Sequence, residues 1–326
     1  MVQLLKVHGS QNSFFLLDQT QLNQAFTQLE LVKLTKQLTN SHNLLNGADG
    51  LLVVSPSSQP SACGKMQVIN ADGSIASMCG NGLRTVGRYL AAKYQQQNLI
   101  VETAQANLRV SCQPDWAPHV KAVSVEISPV SFQQQDLPFS NLGKKELINQ
   151  PVPEFAANLK FTAVAVPNPH LISIVSADLM QTDLLKQLGT QLNRSNPYFP
   201  DGVNVSFAQI INPQRLFVRT FERGVGFTNA CGTGMSAASL IHALTYPQNC
   251  LFNNLITVTN PGGFVQTIVH QDNNHYWIEL IGNATFTHYI EVAENELHQN
   301  VIDFTKFKVK STVENQAYQE FITKHS

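Results

Sequence analysis

Two cysteines stand in matching company. Met78-Cys79-Gly80-Asn81-Gly82 and Ala230-Cys231-Gly232-Thr233-Gly234 lie about 150 residues apart, and each sets a cysteine before a small residue and a helical run. A helix N-terminus offers unpaired backbone N–H groups and a partial positive charge. A thiol placed there loses its proton more easily, and the same N–H groups bind carboxylates. Each motif can therefore supply a base and half of a carboxylate clamp. Two such motifs facing each other would put one thiol on each side of a bound carbon acid. One thiolate removes the α-proton and the opposite thiol returns one to the other face, which is racemisation or epimerisation without a cofactor. The competing reading is a pair of buried structural cysteines in Gly-rich turns. Two copies at matching helix starts count against it.

The elements that must hold these motifs follow from the pattern of apolar residues. After Cys79, Leu83, Val86, Leu90, Ala91 and Tyr94 fall on one helical face, with Arg84, Arg88 and Lys93 on the other. After Cys231 the run Met235, Ala237, Ala238, Leu240, Ile241 and Leu244 is apolar nearly all round, which predicts a buried helix. Strands are expected at 3–7, 14–17, 51–54, 66–69, 99–103, 106–112 and 122–128. A second series is expected at 161–166, from 205, at 216–221, 255–259, 264–270, 275–280 and 284–291. Thr20 is a candidate cap for a helix carrying Leu22, Phe26, Leu29 and Val32, and residues 179–192 read as helical. Residues 113–119 and 129–155 are polar and contain proline, so the crossover between halves belongs there. The order strands–helix–strands occurs twice. The expected class is α/β (α+β), in two related halves, each with a central helix beginning at a cysteine. The N-terminal domain takes residues 1–120 with a returning segment and tail at 284–326, and the C-terminal domain takes 121–283. Residues 294–326, with Lys306, Lys308, Lys310 and Lys324 and a short helix around Ala317, Phe321 and Ile322, read as an appended surface segment, or else as an interface element.

Composition removes several classes of function. The chain of 326 residues is 43% hydrophobic and 13% charged, with a formal net charge of −1. That suits a globular protein and gives no global attraction to nucleic acid or an anionic membrane. Residues 1–20 lack the basic start and apolar core of a signal peptide, and no run is long enough to span a bilayer. The expected compartment is the cytoplasm. Five cysteines (63, 79, 112, 231 and 250) are an odd number in a reducing compartment, so no disulfide framework is expected. None forms a Cys-x-x-Cys pair, and no metal site is read.

The motifs in order resemble diaminopimelate epimerase, the cofactor-independent family that interconverts the LL and meso forms of 2,6-diaminopimelate. The matching residues are His8-Gly9 with Asn12 and Phe14, Gly47-Ala48-Asp49-Gly50-Leu51, and Asn70-Ala-Asp-Gly-Ser with Cys79-Gly-Asn-Gly. Later come Asn168-Pro169-His170, Gly202-Val203-Asn204-Val205, Glu222-Arg223-Gly224 and Ala230-Cys-Gly-Thr-Gly. The resemblance spans residues 3–290. It implies that Cys79 and Cys231 are the two bases. It implies that backbone N–H groups of Gly80, Asn81, Gly232 and Thr233, with the Thr233 hydroxyl, hold the α-carboxylate. Asn12, Asn70, Asn168, Asn204 and Arg223 would hold the substrate, chiefly its distal amino-acid end. His170 and Glu222 would sit near the thiols and help set their protonation. The fold the resemblance implies is α/β (α+β), two pseudo-symmetric domains, each a curled mixed sheet around a central helix, closing over the substrate at their interface. No cofactor is expected, and the partner is a small-molecule amino-acid substrate. A homodimer is the default for such an enzyme, though no pattern in the chain specifies one.

The chemistry agrees independently. An α-proton is weakly acidic and a thiolate is a modest base, so abstraction needs a dry, preorganised site for the developing charge. Arg223 can make a bidentate contact with a distal carboxylate that lysine would not reproduce. A lone asparagine in a turn often serves the backbone, so Asn12 and Asn70 have a structural reading as well. His170 could be a satisfied core histidine, and Glu222-Arg223 a plain ion pair. The chain departs from the family pattern at Ser13, Ile75, Pro167, Phe227, Asn229 and Met235, and it is longer at 56–65 and after 293. The apolar changes motivate an alternative, a racemase of another amino acid such as histidine with the same two thiols. A non-catalytic binding protein is a third reading, against which the paired cysteines stand. A pyridoxal-dependent racemase is disfavoured because no lysine or phosphate loop is placed for it.

Overall fold

The computed structural model describes residues 1–325 apart from Ser77 and Asn274. The expected tail is thus described as far as His325. The chain divides into two compact units, Met1–Val125 with Ile281–His325, and Glu126–Leu280.

The first unit opens with β1 (Val2–Gly9), β2 (Asn12–Asp18), α1 (Gln28–Leu38), β3 (Gly50–Ser55), β4 (Gly64–Asn70) and β5 (Ile75–Ala76). α2 (Gly80–Tyr94), β6 (Asn98–Glu102), β7 (Asn107–Ala117) and β8 (Val120–Ile127) follow. β1 and β2 are antiparallel, β2 and β3 parallel, and β3 and β4 antiparallel. β5 turns back on β4, β6 runs parallel to β4, and β7 returns antiparallel to β6. α2 touches β1, β4, β6 and β7, so the sheet curls round it.

The second unit contains β9 (Gln150–Pro151), β10 (Lys160–Ala165), β11 (Pro169–Ile174), α3 (Ala177–Met180), α4 (Leu184–Leu192), β12 (Asn204–Asn212), β13 (Arg215–Glu222) and β14 (Gly226–Phe227). α5 (Gly232–Thr245), β15 (Leu255–Asn260), β16 (Gly263–Asp272) and β17 (His275–Asn283) complete that series. Its pairings repeat those of the first unit step for step. β10–β11 is antiparallel, β11–β12 parallel, and β12–β13 and β13–β14 antiparallel. β13–β15 is parallel and β15–β16 antiparallel. α5 packs on β11, β12, β13, β15 and β16. The expected mixed class with two related halves, each built on one central helix, is therefore the observed one.

The chain then returns to the first unit with β18 (Thr285–Val292), α6 (Glu294–Leu297), β19 (Lys308–Ser311) and α7 (Glu314–His325). β18 pairs with β1, and β19 with β18. Here the expected surface appendage is overturned. Leu297, Ile302, Phe307, Tyr318, Phe321 and Ile322 are all buried, and the first three join a core with Leu4, Phe15 and Leu34.

Four local expectations are also corrected. Thr20 does not cap the first helix. Thr27 does, accepting from the Glu30 N–H while the Glu30 carboxylate accepts from Thr27, a complete capping box. The buried face is therefore Leu31, Leu34, Thr35 and Leu38, and Leu29 faces water. The helix over 179–192 is two pieces. The Thr182 hydroxyl donates to Leu179 O at 2.8 Å and accepts from Leu184 N at 3.4 Å, ending one piece and starting the next. Residues 113–119 are strand and hairpin rather than crossover, because β7 continues to Ala117 and turns directly into β8. Arg84 is not on a solvated face: it is fully buried.

Candidate active site

In the first unit, α2 begins with Gly80, and Cys79 is its N-cap with extended backbone angles. The Cys79 sulfur accepts from the Gly82 N–H at 3.4 Å, and the thiol lies 3.7 Å from Asn12 Oδ1 as a donor. Gly82 leaves room for Leu52 here, since a Cβ would stand 2.7 Å from Leu52 Cδ2. Asn12 sits at the mouth of the β1–β2 turn. Its Nδ2 donates to Asp49 at 2.8 Å, and its Oδ1 accepts from Asn81 Nδ2 at 3.3 Å. Asp49 also accepts from the Ser13 N–H at 2.7 Å. Asn70 stands apart from this group in its bonding. Its side chain donates to Ser74 Oγ at 2.9 Å, and its backbone closes the same turn. The backbone-serving reading thus describes the bonds Asn70 makes in this structure.

In the second unit, Cys231 stands before Gly232 at the start of α5 and is buried. Its sulfur lies 3.7 Å from Thr233 Oγ1. Gly234 matches Gly82: a Cβ there would stand 2.9 Å from Thr220 Oγ1 and 3.2 Å from the Cys231 sulfur. His170, on β11, bridges Asn168 Oδ1 at 3.1 Å and Thr233 Oγ1 at 3.0 Å through Nε2. Its Nδ1 is buried and has no partner among the described residues. Parallel pairing sets His170 beside Asn204. The Asn204 side chain accepts from the Arg223 N–H at 2.8 Å, fixing the turn after β13. The Arg223 side chain is exposed, and its Nη1 donates to Asp201 O at 3.1 Å. Gly202, at φ +72°, lets the chain pass beneath it, since a Cβ would stand 3.1 Å from Arg223 Cδ. Glu222 accepts a short hydrogen bond from the Thr228 hydroxyl.

At Cys231 the electrostatics depart from what a helix start alone suggests. Burial pushes the Cys231 thiol far above its ordinary range, and the neighbouring Glu222 carboxylate adds to this. The Gly234 N–H and the Thr233 hydroxyl favour the thiolate but are outweighed. A helix N-terminus alone therefore does not ionise Cys231, contrary to the expectation from its position; desolvation and a like charge win. Burial also lowers His170 to about 3, with Arg223 contributing, so its imidazole is neutral.

Of the sequence-predicted residues, Cys79, Gly80, Asn81 and Asn12 come together in the first unit. Cys231, Gly232, Thr233, His170, Asn168, Glu222, Asn204 and Arg223 come together in the second. Sequence reasoning did not single out Asp49 as the acceptor that holds Asn12, although it lies inside a quoted motif. Nor did it single out Thr228, Asn193 or Arg84. Asn193 donates to Gly189 O at 2.8 Å and Val203 O at 2.9 Å, and only the fold reveals that. Of the family departures, Ile75 and Phe227 are exposed and Met235 is buried, where it accepts from Asn260 Nδ2 at 3.2 Å.

A family model described as diaminopimelate epimerase matches residues 4–132 and 162–287. A diaminopimelate epimerase of Lactiplantibacillus plantarum is 48% identical over 326 residues, covering 98% of each chain. One of Enterococcus faecalis is 48% identical over 323 residues with the same coverage, and one of Listeria monocytogenes is 44% identical over 324 residues, covering 98% of this chain and 96% of that protein. Among solved structures, a phenazine biosynthesis protein of the PhzF family from Bacillus anthracis superposes with a TM-score of 0.61 at 14% identity, covering 90% of this chain and 99% of its own. A hydroxyproline epimerase from Agrobacterium vitis superposes with a TM-score of 0.57 at 14% identity, covering 88% and 89%. At such identities these structures speak for the fold alone.

Proposed function

The chain belongs to the diaminopimelate epimerase family, and from that premise we propose that it interconverts LL- and meso-2,6-diaminopimelate by exchanging the proton on one α-carbon. It is an isomerase, and the product feeds lysine and peptidoglycan precursor synthesis. The observation that carries the reading is the pair of cysteines, each at the start of the central helix of one of two topologically equivalent units. The histidine alternative raised by Ile75, Phe227 and Met235 is not favoured, since relatives at 47–48% identity over nearly the whole chain are named diaminopimelate epimerases.

In the proposed mechanism Cys79 acts as thiolate and Cys231 as thiol, in keeping with burial and Glu222 holding the proton on Cys231. The α-C–H bond breaks as an S–H bond forms at Cys79. The Cys231 S–H bond breaks as a C–H bond forms on the opposite face. The reverse reaction exchanges the roles. Negative charge developing at the carboxylate is met by N–H groups of Gly80, Asn81, Gly232 and Thr233. The neutral His170 holds the Thr233 hydroxyl in place. Asn12, Asn70, Asn168, Asn204 and Arg223 take the distal amino-acid end. Among the described residues no helix is long and apolar enough to cross a membrane. We place the enzyme in the cytoplasm, in keeping with five free cysteines, and take a homodimer as the assembly, which light scattering checks.

The test is α-proton exchange in deuterated water followed by NMR, with LL-diaminopimelate and L-histidine in parallel. Exchange and meso product from diaminopimelate are expected. Exchange from histidine alone would keep the mechanism and reassign the substrate. Cys79→Ala and Cys231→Ala should each lose at least about a thousandfold in kcat; an active single variant would refute the two-base scheme.

A further inference from the structure

Arg84 lies one turn into α2, fully buried, in the same unit as Cys79. Its Nε donates to Asn283 O at 3.0 Å, and its Nη2 donates to Ser10 Oγ at 3.1 Å and Asn81 Oδ1 at 2.8 Å. All of these acceptors are neutral, and Nη1 has no partner among the described residues. The site is built for the guanidinium. A Cβ on Gly9 would stand 2.8 Å from Nη2, and one on Gly282 would stand 2.7 Å from Cζ, so two glycines leave the space the fork occupies. An uncompensated buried cation is costly, and such a cost persists in a fold where the charge is used.

The groups that face Arg84 cannot neutralise it. His8 on β1 is lowered to about 4 by burial, and is therefore neutral at physiological pH. Tyr318 on α7 is pushed up to about 12 by burial, and keeps its proton. Glu314, the acid at the start of that same helix, is committed to Arg88 by contacts of 2.6 and 2.7 Å and to the Phe286 N–H, and Glu320 further along accepts from Gln316. Burial lowers Arg84 to about 10, which leaves it charged at neutral pH, and Cys79 is one of the two groups whose negative form favours that charge.

We propose that Arg84 is a positioning residue for Cys79, whose thiolate is the countercharge this buried guanidinium lacks. The proposal rests on the reading of Cys79 as a catalytic base. Arg84 acts in two ways. By accepting from Arg84, Asn81 Oδ1 is fixed inward, and Asn81 Nδ2 is turned out to Asn12, which meets the Cys79 thiol. The guanidinium charge then stabilises the sulfur once its proton has left. This supplies to Cys79 what Cys231 lacks, since Cys231 has a carboxylate for a neighbour. The two cysteines are thereby biased to opposite protonation states, as one base and one acid require.

The experiment is the pH dependence of iodoacetamide alkylation at Cys79 in the full-length chain without substrate, read by mass spectrometry of the peptide containing Cys79. Arg84→Gln is expected to raise the midpoint by about one unit or more, and Arg84→Lys to restore most of it. A folded Arg84→Gln variant reacting at the wild-type midpoint would overturn the proposal. Should that variant not fold, the stability lost in Cys79→Ser is compared at pH 6 and pH 9. An ion pair to a thiolate is present at high pH and disappears as the sulfur is protonated, so the loss must be larger at pH 9; equal losses would overturn it. Full activity of Cys79→Ala would defeat the catalytic reading separately, because the alkylation midpoint is measured without turnover.

Discussion

Cys231 and His170 carry opposite lessons about burial. Both are deprived of water, and each holds its neutral form, the thiol by keeping a proton and the imidazole by refusing one. His8 behaves like His170. The consequence for stability follows from proton counting. Between about pH 4 and 6.5 the unfolded chain protonates these histidines while the folded chain does not, so stability rises with pH across that window. The unfolding free energy read from urea titrations should therefore fall as pH drops from 6.5 to 4, by up to about 1.4 kcal/mol per pH unit for each histidine. His8→Gln and His170→Gln together should flatten that slope, and an unaltered slope would mean that other groups set it. Arg223 offers a different test. Its side chain is exposed and makes one backbone contact, so Arg223→Lys should leave the melting temperature within about a degree. The KM for diaminopimelate should rise about tenfold or more, because lysine cannot present two parallel donors. Unchanged kinetics would place the distal carboxylate elsewhere.

At the scale of the element, the central helices pack closely because their glycines leave room for side chains of the surrounding strands. Gly87 lies inside α2, where glycine normally costs about 1 kcal/mol against alanine. A Cβ there would stand 2.2 Å from Val110 Cγ1 on β7. Gly87→Ala should therefore destabilise by about 1–3 kcal/mol despite its better helix propensity, read from denaturant midpoints; a stabilised variant would mean that β7 yields freely. The capping box of α1 is simpler. Thr27→Ala should cost about 1 kcal/mol. The helix start was misplaced in the sequence reading because Thr20 and Thr27 are both acceptable caps. Only the reciprocal bond from Glu30 distinguishes them, and Glu30 at the third helical position was a visible signal. Arg84 was misassigned for a different reason. Spacing puts it opposite the apolar face, but a helix enclosed by its sheet has no solvated face to offer.

At the scale of the molecule, the C-terminal segment is part of the first unit rather than an attachment to it. β19 extends the sheet beside β18, and Tyr318, fully buried, packs its ring 5.1 Å from that of His8. Tyr318→Ala should cost about 3–5 kcal/mol, as truncation of a buried aromatic does. A surface appendage would tolerate it, so a variant with wild-type stability would restore the earlier expectation. The segment's lysines concealed this. Its exposed strand and charged positions dominate the composition, while six scattered apolar residues reach the core. No local periodicity marks residues that are buried by neighbours nearly 300 positions away.

The sequence by itself determined the class of fold, the two cysteines at helix starts and the family, because each depends on residues close together in the chain. Backbone N–H groups at a helix start follow from local order, and so does a motif of five residues. The tertiary structure decided which charges survive. That Cys231 keeps its proton depends on Glu222 and on exclusion of water. That Arg84 donates only to neutral acceptors among the described residues depends on where β1 and Asn283 come to lie. Desolvation is a property of everything that surrounds a group, and no stretch of sequence contains it.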